Sequence, residues 1–166
     1  MTQPSNWNWN AGPVPPGPAV VVDIDGVLAD AAGRQRFLVG PRDEWDWQGF
    51  FDAAGEDPVI EEMHVLLGQL DPALTVVLVT ARPERIHAIT EEWLRRTGIR
   101  WDLLVMRGYG SDDLSREYKA ETVTQLRDHG FELRLAFEDD RANVDMFRAA
   151  GVPCVYFHSG YYDRPE

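Results

Sequence analysis

The sequence predicts an α/β protein built on a doubly wound parallel sheet. Strand-like and helix-like segments alternate along the whole chain after residue 18, a pattern typical of βαβ units with right-handed crossovers. The first strand-like segments are apolar runs rich in Val and Leu, as expected of strands covered on both faces. At 166 residues, 44% hydrophobic and 27% charged, the chain fits one domain of ordinary size with its own core.

Five strands and four helices are predicted in this alternating region. The strands are expected at 20–24, 75–80, 101–106, 133–137 and 154–157. The helices are expected at 58–70, 83–97, 118–129 and 141–150. Apolar side chains at helical spacing identify the helices, and glycines stop three of them. Asp57 ahead of Pro58 is typical of a helix N-cap followed by proline, and segment 31–57 is expected to be irregular.

The chain is expected to divide into an extended N-terminal arm, residues 1–18, and one domain, residues 19–166. Four prolines between Pro13 and Pro18 exclude a helix in the arm and favour extended chain. Trp7 and Trp9 either dock on the domain or contact a partner, including a second copy of this chain. The sequence contains no internal repeat.

Charge and cysteine content exclude several classes of function. The formal net charge of −12 argues against broad, non-specific wrapping of nucleic acid, but it allows a small basic pocket for one phosphate. Cys154 is the only cysteine, so an intrachain disulfide and a cysteine metal cluster are both impossible. No apolar run is long enough for a membrane span and no secretory pattern is present, so we expect a cytoplasmic protein without a membrane partner.

Two aspartates lie at the end of the first predicted strand, Asp23 and Asp25, followed by Gly26. Side chains two residues apart in a strand point the same way, so both carboxylates are expected on one side. Gly26 would end the strand and let the backbone turn sharply. Neighbouring carboxylates repel each other, and a cation near them offsets that cost. The pair therefore indicates a site that holds Mg²⁺ and offers an oxygen nucleophile.

Polar residues also lie at other strand and helix ends. Thr80 ends the second strand, Lys119 lies near the start of the helix ahead of the fourth, and Asp139 and Asp140 follow the fourth. Ligands of open α/β sheets bind outside the carboxyl ends of the strands, so we expect these residues to gather along one edge with the first two aspartates. Acids, a hydroxyl and an ammonium are the groups that phosphoryl transfer to a carboxylate needs.

In this order and context, these residues resemble the four motifs of the haloacid dehalogenase (HAD) superfamily. The matching motifs are Asp23-Ile24-Asp25-Gly26-Val27, Thr80, Lys119 and Asp139-Asp140. Segments 79–84, 93–94, 101–107, 138–141 and 146–148 further resemble the 3′-phosphatase domain of phage polynucleotide kinase. The resemblance implies a Rossmann-like sheet and counts Gly26 among the substrate contacts. No P-loop sequence is present, so no kinase domain is expected in this chain.

The superfamily resemblance implies a mechanism. Asp23 would attack phosphorus and form an aspartyl-phosphate. Asp25 would protonate the leaving oxygen and then deprotonate the attacking water, so it has to be protonated when the substrate is bound, which requires a raised pKa in that state. Mg²⁺ would be held by Asp23, the backbone carbonyl of Asp25 and either Asp139 or Asp140, the other capping the next helix. Thr80 would hydrogen-bond a phosphoryl oxygen.

Basic residues complete the implied site. Lys119 would hold the nucleophile and the phosphate electrostatically, with a solvated lysine and nearby Arg116 as the alternative. Arg82 and Arg107 are candidates to bind phosphate or a neighbouring nucleotide, with surface ion pairing as the alternative. Arg34 would reach the site from the first loop.

The segment between the first two motifs is short and predicts a minimal cap. A small cap leaves the site open to a bulky substrate such as a nucleic-acid end. Trp45, Trp47 and Phe50 either stack on a base or belong to the core. The resemblance and the open site indicate removal of 3′-phosphates from DNA or RNA ends, with a mononucleotide phosphatase as the main alternative. A non-catalytic phosphate- or nucleotide-binding module is the second alternative, and Asp25 weighs against a dehalogenase.

Overall fold

The computed structural model describes residues 2–108 and 114–162, so residues 109–113 and 163–166 of the predicted domain lie outside the described part. The strands are β1 Trp7–Trp9, β2 Pro18–Val22, β3 Thr75–Pro83, β4 Leu103–Arg107, β5 Glu132–Glu138 and β6 Cys154–Tyr156. The α-helices are α1 Trp47–Asp52, α2 Glu61–Gln69, α3 His87–Thr97, α4 Ser115–Asp128 and α5 Arg141–Ala149. None of these helices is both long and apolar enough to cross a membrane.

A single six-stranded sheet joins the strands in the order β1-β4-β3-β2-β5-β6. The strands from β4 to β6 in this order are parallel to their neighbours, so the predicted fold class is confirmed. The edge strand β1 is antiparallel to β4, with Trp7 opposite Val105. β2 lies at the centre, where Val22 is opposite Leu78 of β3 and Phe137 of β5. The residues that follow these three strands therefore meet at one edge.

Helices cover both faces of the sheet. Alternate residues of β2 belong to different cores: Val20 and Val22 pack on one face, Ala19 and Val21 on the other. The first core includes α2, α3 and the segment between β2 and α2, and the second includes α4 and α5. Burial on both faces explains why the strand segments are apolar runs rather than alternating patterns.

The segment between β2 and α2 forms the cap and is mostly helical, so the prediction of irregular chain at 31–57 is wrong. Besides α1, it contains 3₁₀ helices at Ala31–Phe37, Arg42–Glu44 and Ala53–Glu56. The Asp30 and Asp46 side chains accept hydrogen bonds from the first turns that follow them. Single turns held by such caps are too short to leave a helical periodicity in the sequence.

Three predicted helix starts differ from the structure. α4 begins at Ser115, three residues before the predicted start. The other two were predicted at prolines. α2 begins at Glu61, because the Asp57 side chain accepts hydrogen bonds from buried arginines instead of capping a helix at Pro58. Pro83 is the last residue of β3, opposite Arg107 of β4, and α3 begins at His87 after a short 3₁₀ turn. In both places tertiary contacts outweigh the local signal that proline gives.

The N-terminal arm lies against the domain. Besides its pairing through β1, Trp7 is buried, and its ring centroid is 4.8 Å from that of His129 and 6.2 Å from that of Phe131. This packing corresponds to the docking alternative for Trp7. The division of the chain at residue 18 stays a prediction.

Candidate active site

Three buried carboxylates meet where β2 and β5 end. Asp23 follows β2, Glu138 is the last residue of β5, and Asp139 comes next. One oxygen of each side chain lies within 4.8 Å of the other two. The backbone amide of Asp23 donates a 3.1 Å hydrogen bond to the carbonyl of Phe137, which keeps the two strand ends in register. We call these three residues the acidic cluster.

Among the described residues, Lys119 is the cation that forms ion pairs with this cluster. Its Nζ lies 2.6 Å from Oε2 of Glu138 and 3.0 Å from Oδ1 of Asp23, and the side chain is buried in α4. The contact with Asp23 is the one that the sequence predicted for this lysine. Three carboxylates against one ammonium leave the acidic cluster short of positive charge if all are ionised.

The pKa shifts record this imbalance. Burial raises the pKa of Asp23 to about 8, and the charge of Glu138 adds to the effect while Lys119 opposes it. Burial also raises the pKa of Asp139 to about 9, again with the neighbouring carboxylates adding. Burial alone would lower the pKa of Lys119, but Asp23 and Glu138 raise it above its ordinary value.

The acidic cluster fits a divalent cation. Both oxygens of Asp139 are buried and have no hydrogen-bond partner of ordinary geometry in the described part of the chain. Buried polar atoms are rarely left in this state, and Mg²⁺ prefers carboxylate oxygens. Asp140, by contrast, caps α5, since its Oδ1 accepts a 2.8 Å hydrogen bond from the Ala142 amide. The geometry therefore favours Asp139 over Asp140 as the metal ligand.

Asp25 lies in a different environment from Asp23. Its Oδ1 accepts a 2.6 Å hydrogen bond from Nη2 of Arg34, and bonds of 2.6 and 3.0 Å from Nη2 and Nε of Arg82. The same two guanidinium groups also contact Asp57, at 2.6 and 3.3 Å. Two carboxylates and two guanidiniums thus form a balanced buried network, which we call the arginine network.

The arginine network bears on two expectations for Asp25. A cation shared between the first two aspartates is not needed to neutralise Asp25, because the two arginines already do so. Burial alone would raise the pKa of Asp25, but the charges and hydrogen bonds of Arg82 and Arg34 hold it at about 2. The pKa of Asp25 is thus low in the substrate-free site, whereas the expectation of a raised pKa concerns the substrate-bound site.

Arg34 and Arg82 were expected to contact substrate. Arg34 is 2% exposed and Arg82 is fully buried, and both guanidinium groups are committed to Asp25 and Asp57. Arg34 also donates to the backbone carbonyl of Phe50 at 3.0 Å. The structure thus brings both arginines to the site, where they bind Asp25 and Asp57 and are themselves buried.

Gly26 and Thr80 are brought to the same edge of the sheet. Gly26 has a φ of 82°, and a Cβ atom there would lie 2.0 Å from Oδ2 of Asp139. Only glycine fits this turn without moving the acidic cluster. Thr80 is buried, and its hydroxyl oxygen accepts a 3.2 Å hydrogen bond from the backbone amide of Arg82.

The remaining candidates for substrate contact are Arg107 and the aromatic residues of the cap, none of which belongs to the acidic cluster or the arginine network. Arg107 ends β4, and its Nε is buried without a hydrogen-bond partner among the described residues. No ion pair in the described part of the chain joins Arg107 to the acidic cluster. Of the cap aromatics, Phe50 is buried and Trp45 partly buried, whereas Trp47 is 41% exposed and stacks on Phe51.

Two residues of the site escaped the sequence analysis. Glu138 accepts from Lys119 and from the backbone amides of Asp139 and Asp140, at 3.0 and 3.1 Å. Its position directly ahead of Asp139 and Asp140 was the feature of the sequence that could have identified Glu138 as part of the site. Asp57 joins the arginine network from the cap, 32 residues after Asp25 in the chain, and nothing in its local sequence indicates that contact.

Comparison with known proteins decides the family. The polynucleotide kinase PNKP phosphatase domain family matches residues 17–162. The chain belongs to this family. The predicted HAD-superfamily resemblance and its narrower form are thereby confirmed, and the chain is a phosphatase domain of the PNKP type.

One sequence relative and two solved structures illustrate what the chain is similar to. The Bacillus subtilis (strain 168) protein named "Putative nucleotidase YqfW" is 28% identical over 124 residues, which are 73% of this chain and 58% of the relative. The chain therefore spans little more than half the length of that protein. A structure of the Pnkp1/Rnl/Hen1 RNA repair complex matches 94% of this chain and 44% of the other, at 22% identity and a TM-score of 0.71. The haloacid dehalogenase-like hydrolase SP0104 from Streptococcus pneumoniae matches 83% of each chain, at 16% identity and a TM-score of 0.57.

Proposed function

We propose that this PNKP-type domain hydrolyses phosphomonoesters through an aspartyl-phosphate on Asp23. The observation that carries the proposal is the acidic cluster at the end of the central strand, with Lys119 held against Asp23. A buried carboxylate that an ammonium holds in place, in a cluster whose remaining negative charge a divalent cation would neutralise, is suited to attack on a phosphoryl group. The family assignment supports the reaction class.

A bound Mg²⁺ would be held by Asp23, the backbone carbonyl of Asp25 and Asp139, and would screen the charge of the phosphoryl oxygens. Glu138 forms an ion pair with Lys119 and so helps to hold the ammonium beside the nucleophile. Thr80, buried at the end of β3, is the candidate donor to a phosphoryl oxygen. These roles extend the predicted assignments by one residue, Glu138.

The reaction would run in two displacements. In the first, a carboxylate oxygen of Asp23 bonds to phosphorus, and the bond from phosphorus to the leaving oxygen breaks while Asp25 gives that oxygen a proton. In the second, Asp25 takes a proton from water, whose oxygen bonds to phosphorus and releases Asp23. Because Asp25 is ionised in the substrate-free geometry, its first proton has to be taken up when the substrate binds.

Arg34 and Arg82 act in this proposal as positioning residues. They orient the Asp25 carboxylate through three hydrogen bonds to its Oδ1. Its second oxygen, Oδ2, accepts none of these three bonds. Binding to the substrate phosphate would require them to break their ion pairs with Asp25 and with the buried carboxylate of Asp57, which is costly. Arg107 stays the guanidinium candidate for the substrate.

The substrate that we propose is a 3′-phosphate at a DNA or RNA end. The family assignment and the cap, which consists of short helices, support a site open to a bulky leaving group. The exposed ring of Trp47 stays a candidate for stacking on a base. The relative named as a nucleotidase supports the alternative, a mononucleotide phosphatase. A homo-oligomer formed through the arm, partner proteins and a cytoplasmic location stay predictions.

A substrate panel tests the proposal. Phosphate release is measured from a 3′-phosphorylated oligonucleotide, the matching 5′-phosphorylated one and mononucleotides, with Mg²⁺ and with chelator. We expect Mg²⁺-dependent release, fastest from the 3′-phosphorylated oligonucleotide, and none from Asp23→Asn, whose amide keeps the shape but cannot attack. Faster release from mononucleotides would refute the proposed 3′-phosphorylated substrate but would leave the proposed mechanism unchanged. Binding without release from any substrate would favour the non-catalytic module.

A further inference from the structure

The segment that follows β6, residues 157–162, runs along the edge of the sheet where the acidic cluster lies. It starts beside β5, since the backbone amide of Phe157 donates a 2.8 Å hydrogen bond to the carbonyl of Glu138. Although none of the candidate site residues lies in it, this segment borders the half of the site that is suited to a metal ion. We call it the C-terminal segment.

Ser159 is the residue of this segment that comes close to Asp139, the favoured metal ligand. A Cβ atom built on Gly26 would lie 2.0 Å from Oδ2 of Asp139 and 3.0 Å from the Cβ of Ser159. The Ser159 Cβ can therefore be no further from Oδ2 of Asp139 than these two distances added together. The serine oxygen lies one bond beyond its Cβ, so the hydroxyl can approach the carboxylate more closely still.

The Ser159 hydroxyl has a proton to donate to this carboxylate. Its oxygen accepts a 3.2 Å hydrogen bond from the backbone amide of Tyr161, and a hydroxyl that accepts one bond keeps its own proton for another acceptor. Both oxygens of Asp139 are buried without a partner of ordinary geometry among the described residues, so they are acceptors in need of a donor. Burial raises the pKa of Asp139, and Ser159 acts in the opposite direction, as a hydroxyl does when it faces an ionised carboxylate.

A side-chain hydrogen bond fastens the C-terminal segment to the start of the cap. The Tyr161 hydroxyl donates a 2.7 Å hydrogen bond to Oδ1 of Asp30. The same oxygen accepts a 2.9 Å hydrogen bond from the amide of Ala32, in the first 3₁₀ helix of the cap. Ser159 and Tyr161 are joined by a tight turn, in which Gly160 has a φ of 77°. The tyrosine anchored at one end of this turn therefore restricts where the serine at the other end can lie.

We propose that Ser159 is a positioning residue for Asp139: its hydroxyl donates to one carboxylate oxygen and leaves the other to bind the metal ion. The hydrogen bond from Tyr161 to Asp30 holds the serine there, so the cap and the metal ligand are linked through the C-terminal segment. Residues that hold a metal ligand without touching the metal orient that ligand and raise its affinity for the ion. The inference deepens the proposed function and rests on its magnesium site.

Calorimetric titration of Mg²⁺ into the metal-free protein tests the inference without requiring turnover. We expect Ser159→Ala to raise the Mg²⁺ dissociation constant about tenfold, since the loss of such a partner weakens metal binding by roughly 10- to 100-fold. Tyr161→Phe should raise it by a smaller factor, because the serine keeps its hydroxyl and loses only its support. The matched control is Tyr156→Phe, which removes a hydroxyl that lies 3.1 Å from Nδ1 of His158 and should leave the Mg²⁺ affinity unchanged.

The double variant of Ser159→Ala and Tyr161→Phe shows whether the tyrosine acts through the serine. If it does, the double variant should bind Mg²⁺ as weakly as Ser159→Ala alone, since the effects of coupled residues do not add. Full addition of the two effects would overturn the supporting role of Tyr161. The melting temperature in chelator separates positioning from folding, because a purely structural role would lower it and leave the Mg²⁺ affinity unchanged. That result would overturn the inference.

The outcomes separate this inference from the proposed hydrolysis. Unchanged Mg²⁺ affinity in Ser159→Ala, when the wild-type protein binds the ion, would overturn the positioning role and leave the proposed hydrolysis standing. Weaker Mg²⁺ binding in Ser159→Ala, together with no phosphate release by the wild-type protein from any substrate, would support the positioning role and refute the hydrolysis. A wild-type protein that binds no Mg²⁺ would refute the metal site on which both proposals depend.

Discussion

Arg82 donates two hydrogen bonds to a single oxygen of Asp25, 3.0 Å from Nε and 2.6 Å from Nη2. This pairing separates the roles of the first two aspartates. Asp25 is neutralised by arginines from β3 and the cap, whereas Asp23 belongs to a cluster with excess negative charge. The site therefore has one balanced half, which orients a proton-transfer group, and one half that is suited to a cation.

Removing Arg82 should destabilise the fold. In Arg82→Ala, the buried carboxylate of Asp57 and the partly exposed carboxylate of Asp25 lose a partner, and we expect a loss of about 3–5 kcal/mol in the free energy of unfolding, measured by urea denaturation. Arg134→Ala is the matched control, because Arg134 and Glu132 are each 62% exposed and such a pair is worth at most about 1 kcal/mol. Equal losses in the two variants would refute the structural role of the arginine network.

Magnesium should stabilise the protein through Asp139. At a hundredfold excess over its dissociation constant, a ligand adds about 2.7 kcal/mol, which should raise the melting temperature by roughly 5–10 °C in a domain of this size. Chelator should reverse the shift. Asp139→Asn should lose most of it and, without metal, melt no lower than wild type, since one like charge is gone.

Asp140→Asn is the control for this measurement. Asn is also a good N-cap, so this variant should keep both its stability and its response to magnesium. A full magnesium shift in Asp139→Asn, or its loss in Asp140→Asn, would reverse the assignment of the metal ligand.

A methyl group at Gly26 should disrupt the site more than it disrupts the fold. Gly26 and Gly98 both have positive φ, at 82° and 67°, so alanine at either position should cost about 1–2 kcal/mol in backbone strain. Only at position 26 does the added Cβ meet another group, Asp139, whereas nothing lies within 4 Å at position 98. We expect Gly26→Ala alone to lose the magnesium shift in melting temperature. A normal shift in that variant would show that the turn tolerates a side chain.

The thiol of Cys154 should be inert at neutral pH. Burial raises the pKa of Cys154 to about 11, so only about one thiol in a thousand is ionised at pH 8. Thiolate is the reactive form, so labelling of the native protein by a disulfide reagent should rise about tenfold per pH unit between pH 8 and 10. In urea the rate should level off near pH 9. Native labelling as fast as that in urea would contradict the burial of this thiol.

Sequence reasoning identified the parts of the site that are encoded locally. Apolar runs predict the sheet and its parallel strands. The polar residues at strand ends predict the positions of Asp23 and Thr80, and the start of a helix predicts that of Lys119. Sequence reasoning missed the contacts between residues that are far apart in the chain. Asp57 has the local signature of a helix cap, and only the folded chain places it against Arg34 and Arg82.

The same limit explains the other errors. The short helices of the cap leave no periodicity, and the antiparallel pairing of β1 with β4 joins segments almost a hundred residues apart. The pKa of Asp25 follows from two arginines whose convergence no spacing in the sequence specifies. Residues whose partners are remote in the chain are thus the ones for which the structure adds most.

The most direct test of the account is to trap the phosphoryl group on Asp23. In Asp25→Asn, Asp23 should still attack p-nitrophenyl phosphate, whose leaving oxygen needs no proton. The aspartyl-phosphate should then be hydrolysed slowly, because no carboxylate at position 25 takes a proton from water. Intact and peptide mass spectrometry of this variant with Mg²⁺ should then find one phosphoryl group on Asp23, absent with chelator and in the Asp23→Asn, Asp25→Asn double variant. Full turnover by the single variant without phosphoryl-enzyme, or a phosphoryl group on another residue, would contradict the assignment of Asp23 as the nucleophile.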